Sequence, residues 1–193
     1  MKKAKKILAL LMCAVLLVGA SIAGTVAYLT SQDEVTNTFT VGKVEIKLEE
    51  YDVDEQTGKK NATVVEGLAN LELVPGREIE KNPFITVDAN SETCWLFVKI
   101  VNNLGNAVTI NGLTENGWAA VAGHEGYYQY AYAVGANTVV PVFNSVTCDT
   151  DNTYDTLNGI TNKNIVVTAF AVQSEGISQA DAWTALAGQL SLT

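Results

Sequence analysis

From the first residues after position 27 up to residue 178, the chain has almost no helical periodicity. Its apolar residues come instead in short β-rich runs broken by Gly, Asn, Asp and Pro. Regularly spaced short strands between turn signals specify an all-β sandwich or barrel. Phe39 and Val41 alternate with polar neighbours, then the alternation slips by one residue at Gly42 and resumes at Val44, Ile46 and Leu48. A bulge at the glycine would restore the inward face. Asp52 to Lys60, with Thr57-Gly58, reads as a turn, and Thr63 to Leu73 as one short strand. Val74-Pro75-Gly76 reads as a further turn.

The next strand begins after Pro83 with Ile85 and Val87. Cys94 to Val101 is apolar on both faces except at Lys99, the pattern of a central strand covered on both sides. Asn102 to Asn116 reads as a loop or weak hairpin. Trp118 to Val121 is a short run, and Tyr127 to Val134 a strand with Tyr128, Tyr130 and Tyr132 on one face. Thr138 to Val146 reads as an edge strand because Pro141 cannot donate to a ladder. Asn164 to Gln173 is the strongest late strand, with Ile165, Val167, Ala169 and Ala171 opposite Val166, Phe170 and Val172. One helix closes the chain. Ser178 caps it, Asp181 follows three residues on, Trp183, Leu186 and Leu190 share a face, and Gly188 stops it.

The other end is of a different kind. Lys2, Lys3, Lys5 and Lys6 precede an apolar run from Ile7 to Ala23, and small residues lead to Thr25-Val26-Ala27. A basic head, an apolar middle and a small-residue exit make a secretory signal, with cleavage expected between Ala27 and Tyr28. The run approaches membrane-spanning length, so an uncleaved anchor is the alternative. The expected division is therefore a signal peptide at 1–27 and a secreted β-sandwich domain at 28–193, touching the membrane only through the leader.

Loss of the four lysines reduces twelve Lys and Arg to eight against twenty-one Asp and Glu, taking the net charge from −9 to about −13. Such a surface disfavours nucleic acid and anionic lipid and suits cations or basic partners. Two cysteines remain, Cys94 and Cys148. Outside the cell they can form a disulfide; as thiols they pack as small apolar residues.

The stretch Ala-Tyr-Leu-Thr-Ser-Gln-Asp-Glu-Val-Thr-Asn-Thr-Phe-Thr-Val-Gly at 27–42 resembles the N-terminal region of the TasA/camelysin family of Gram-positive bacteria. Leu-Val-Pro-Gly-Arg-Glu-Ile-Glu-Lys-Asn-Pro at 73–83, Cys-Trp-Leu-Phe-Val-Lys-Ile at 94–100, Pro-Val-Phe-Asn-Ser-Val at 141–146 and Val-Thr-Ala-Phe-Ala-Val-Gln at 167–173 are similar to clostridial-type relatives. The resemblance implies a jelly-roll β-sandwich, export through a SipW-type signal peptidase, and a place at the cell surface or in a biofilm matrix. It also implies assembly with itself and with other matrix or surface proteins, by passing an N-terminal strand into the sheet of the next subunit. On this chain that strand covers about 28–48, with Phe39, Val41, Val44, Ile46 and Leu48 as the assembly residues. The alternative is that the strand folds back into its own domain.

The alternatives to assembly are a surface module that binds glycan or another protein without assembling and, last, a camelysin-like metallopeptidase, which the residues disfavour. Zincin chemistry needs two His one helical turn apart and a Glu for the metal-bound water. The chain holds one His, and His124-Glu125 is followed by Gly126-Tyr127-Tyr128, which does not complete the motif. No serine lies in a nucleophile elbow. Asp149, Asp151 and Asp155 space oxygen ligands at alternate positions as calcium loops do, but the EF-hand glycine and distal Glu are replaced by Tyr154 and Ile160. An acidic surface loop is the plainer reading, with calcium as the alternative and no other cofactor expected. Tyr128, Tyr130 and Tyr132, with Trp95 and Trp118, offer either core pairs or a sugar-stacking face.

Overall fold

The computed structural model describes residues 43–67 and 71–192. The proposed leader, the cleavage pair Ala27 and Tyr28, Gly42, and the assembly residues Phe39 and Val41 lie outside them. The described chain is an all-β sandwich with one short helix between its last two strands and another at its end. Its strands are β1 (Ile46–Val53), β2 (Lys60–Val65), β3 (Glu78–Ile79), β4 (Pro83–Val87), β5 (Cys94–Asn102) and β6 (Val108–Asn111). They continue with β7 (Trp118–Ala120), β8 (Tyr127–Tyr130), β9 (Val139–Pro141), β10 (Ser145–Cys148) and β11 (Ile165–Gln173). Two helices follow β10 and β11: α1 (Tyr154–Asn158) and α2 (Gln179–Gln189).

The strands form three sheets, ordered β2-β1-β4-β9, β3-β10-β6 and β11-β5-β8-β7, and the strand pairs are antiparallel. One core joins all three, through Ile85 and Val87 of β4, Leu96, Val98 and Ile100 of β5, and Val146 of β10. β5 is the central strand the sequence suggests. Its alternate residues Leu96, Val98 and Ile100 face the core, while Trp95 and Phe97 face α2. Trp183 docks that helix, with its ring 5.5 Å from Phe97 and 5.4 Å from Tyr127. Ser178 caps α2 by accepting from the Asp181 N–H at 3.2 Å.

Several local expectations change once tertiary contacts are known. The strand expected over Thr138 to Val146 is two strands in different sheets. β9 ends at Pro141, and Val142 and Phe143, both wholly buried, carry the chain across to β10. Part of the Asn102 to Asn116 loop is β6, because Ile110 pairs with Val146 of β10. β8 stops at Tyr130: Tyr128 and Tyr130 pack on the core, whereas Tyr132 is 69% exposed. β2 starts earlier than expected and ends at Val65. Thr153 caps the short helix α1, its hydroxyl accepting from the Thr156 N–H at 3.2 Å, where a loop was expected. Gly188 lies inside α2; Leu190 caps it and Ser191 takes the left-handed turn at φ 56°.

Candidate functional site

An assembly strand needs apolar side chains that its own domain does not consume. Val44, Ile46 and Leu48 do not meet that condition. They pack against the domain's own core, and β1 pairs with β4 from Ile46↔Val87 to Glu50↔Pro83. Three of the five residues expected to fill a neighbour's groove are thus half-buried against their own core, Ile46 and Leu48 from β1 and Val44 from just before it. Only Phe39 and Val41, outside the described residues, are left for that role.

The inward face of β1 ends in a charge. Ile46, Leu48 and Glu50 alternate toward the core, and Glu50 is 5% exposed. The Lys81 ammonium, just before β4, donates to the Glu50 carboxylate. This pair lines a cavity of about 250 Å3 together with Leu48, Asn164, Ile165 and Val167, at the side where β1 and β11 approach. A second cavity, of about 340 Å3, shares Lys81, Asn164 and Ile165 and continues along Leu71, Leu73, Ile79 and Leu104. The side of the sandwich beside β11 is therefore hollowed rather than filled: Glu49, Glu50, Glu66 and Lys81 line the smaller cavity, and Lys81 and Lys163 are the charged groups lining the larger.

β11 forms the margin of that opening. It runs nine residues in unbroken register with β5, from Ile165↔Asn102 to Gln173↔Cys94. Its other side has no strand partner among the described residues. It contains no charge and no proline. The remaining sheet margins are defended or short. β2 pairs irregularly with β1, the register shifting between Tyr51 and Val53. β9 carries Pro141 and has three residues, and β7 also has three. Bulges, prolines and short length are the usual devices that stop edge pairing. β11 uses none of them. The sequence marks it as a strong strand but gives no sign of its edge position, which depends on which strands join the sheet.

The other residues singled out from sequence do not converge on a site. Cys94 and Cys148 are separate buried thiols rather than a disulfide. Cys94 opens β5 within the main core, whereas Cys148 ends β10 among Ala107 and Leu157. Burial pushes the Cys94 thiol up to about 11. Burial also raises that of Cys148, opposed by the Asn152 amide hydrogen bond at 3.7 Å and reinforced by Asp149.

Asp149, Asp151 and Asp155 are not drawn together as ligands. Asp149 Oδ1 accepts from the Asp151 N–H at 2.9 Å, and Asp155 stands in the first turn of α1. Among the described residues no three His, Cys, Asp or Glu side chains are placed to share a metal. His124 sits between Gly123 and Gly126, with its ring 5.1 Å from Trp183. The aromatics divide likewise. Trp118 is buried and its indole N–H donates to the Pro141 carbonyl at 2.8 Å, while the Trp95 indole donates to the Ile177 carbonyl at 3.2 Å. No helix among the described residues is long and apolar enough to cross a membrane.

Comparison with known proteins adds no relative: no family model, no curated protein and no solved structure matches the chain.

Proposed function

We propose that this chain is an exported structural subunit of a bacterial surface or biofilm matrix, and that it works by pairing β-strands between copies. The leader at 1–27 and the acidic mature surface support export and solubility. The resemblance of residues 27–42 to the TasA/camelysin family supports strand donation from the N-terminus.

The observation that carries the reading is the uncharged nine-residue margin of β11, which has no strand partner among the described residues. A nine-residue edge of this kind offers a row of backbone donors and acceptors, and an extended segment can add to it. Because Ile46 and Leu48 serve the domain's own core, the donated segment is 28–42, with Phe39 and Val41 supplying its apolar side chains.

Phe39→Asp tests this. The variant should keep the sandwich, read by circular dichroism, and should fail to form the polymers expected of the parent in electron micrographs and light scattering. A parent protein that stays monomeric at high concentration, with and without calcium, overturns the reading.

A further inference from the structure

The margin of β11 is complementary to itself, and we infer that two copies of this chain pair β11 to β11 in an antiparallel, two-fold register centred on Ala169. The inference rests on the reading that copies associate by strand pairing, but it uses no N-terminal strand; because both pairings need the one open side of β11, a β11 pair and a donated strand exclude each other on the same copy.

The direction of the backbone groups comes first. Cys94 exchanges hydrogen bonds with Val134, at 2.9 and 2.8 Å, and the Ile100 N–H donates to the Gly126 carbonyl at 2.8 Å. Both residues thus turn their peptide groups away from β11. Their register partners are Gln173 and Val167. In an antiparallel ladder, residues opposite in a non-hydrogen-bonded pair both face outward. Ile165, Val167, Ala169, Ala171 and Gln173 therefore present N–H and C=O to the open side. Just beyond the strand, the Ser174 N–H donates inward to Thr93 and the Asn164 carbonyl accepts from the Asn103 N–H, as the alternation requires.

A two-fold axis at Ala169 matches every outward residue with an outward residue. Ala169 meets the partner's Ala169, Val167 the partner's Ala171, and Ile165 the partner's Gln173. No like charges meet along the strand, which matters in a chain of net charge −9. The flanks agree with the same register: Lys163 comes opposite the partner's Glu175, and Glu175 opposite the partner's Lys163, all exposed.

A second observation, on the outer face, points the same way. Val101 and Val166 are register partners left 38% and 44% exposed where α2 does not reach. In this register Val166 lies opposite the partner's Val172, which packs under α2 of its own copy. The partner's helix then comes alongside the exposed pair. Such a contact is isologous and closes a dimer, whereas strand donation is heterologous and extends a fibre. An edge pairing of this size belongs to the weak class of interfaces, so a trap is the right probe.

The experiment is a disulfide trap in the Phe39→Asp full chain, so that it does not depend on polymer formation. Cα atoms of a hydrogen-bonded antiparallel pair lie about 5.5 Å apart, within disulfide reach. Ala169→Cys should give a reducible dimer under mild oxidation, at least tenfold above the same chain without the new cysteine. Val166→Cys should not, because its equivalents would lie about 20 Å apart, six residues along the strand. Glu175→Lys should cut the Ala169→Cys dimer severalfold, and adding Lys163→Glu should restore it. Folding of each variant is checked by circular dichroism. No Ala169→Cys dimer from a folded chain, or equal trapping at Val166→Cys, overturns the register even if the parent polymerises. Loss of parent polymer with Ala169→Cys trapping intact overturns only the donated-strand fibre.

Discussion

Trp183→Ala should release α2 from the sandwich while leaving the sandwich folded. The Trp183 ring lies 5.5, 5.4 and 5.1 Å from the rings of Phe97, Tyr127 and His124, and the residue is half-buried. A tryptophan buries roughly 150–250 Å2 when packed. Half of that at about 25 cal/mol per Å2 gives roughly 2–3 kcal/mol. The aromatic contacts add about 0.5–1.5 kcal/mol beyond area, so about 3 kcal/mol is expected, at the low end for Trp→Ala in a core. α2 has eleven residues, too few to hold a helix in water unaided. Lost docking should therefore appear as melting of the helix.

Amide hydrogen exchange reads this directly. Ala182 N–H, which donates to the Ser178 carbonyl at 2.9 Å, should lose about a hundredfold of protection, since each 1.4 kcal/mol is a factor of ten. The amides of Cys94 and Ile100 in β5 should keep theirs. Unchanged protection in α2 would show that Trp183 does not hold the helix. Equal loss in α2 and β5 would show that the helix is part of the sandwich's cooperative unit, and the assignment of a local role would fall.

The buried thiols give a pH-dependent expectation. Cys94 keeps its proton in the fold up to about 11, from an ordinary value of 9.0. The unfolded chain releases that proton first, so the Cys94 contribution to stability should be fully present below pH 9 and be lost as pH rises from 9 through about 11. Denaturant melts of Cys94→Ala beside the parent check this: the loss above pH 9 should shrink in the variant to the part that Cys148 contributes. Gly126→Ala should destabilise by more than about 1 kcal/mol, since φ is +78° there and a Cβ would lie 2.8 Å from the Ile100 carbonyl oxygen. A urea midpoint equal to the parent's would contradict that account.

The runs at 83–87, 94–102 and 165–173 stand as strands because each is a short, β-branched and aromatic-rich apolar stretch bounded by turn residues, a local and strong signal. The capping signal at Ser178 and the stripe of Trp183, Leu186 and Leu190 likewise place the last helix. β6 was hidden because Val108–Asn111 becomes a strand only when β10 pairs with it. The division of 138–146 was hidden for a related reason: Val142 and Phe143 are as apolar as strand residues, but they turn inward between two sheets.

By itself the sequence determined the all-β class, most turn positions, the two-sided burial of β5 and the acidic character of the chain. Those follow from side-chain period and charge, which are properties of neighbours along the chain. Only the tertiary structure decided that Ile46 and Leu48 serve their own core, that Cys94 and Cys148 stay apart, and that β11 ends its sheet. Each of these depends on which distant strand supplies the next ladder of hydrogen bonds, and a strand's own sequence does not carry that information.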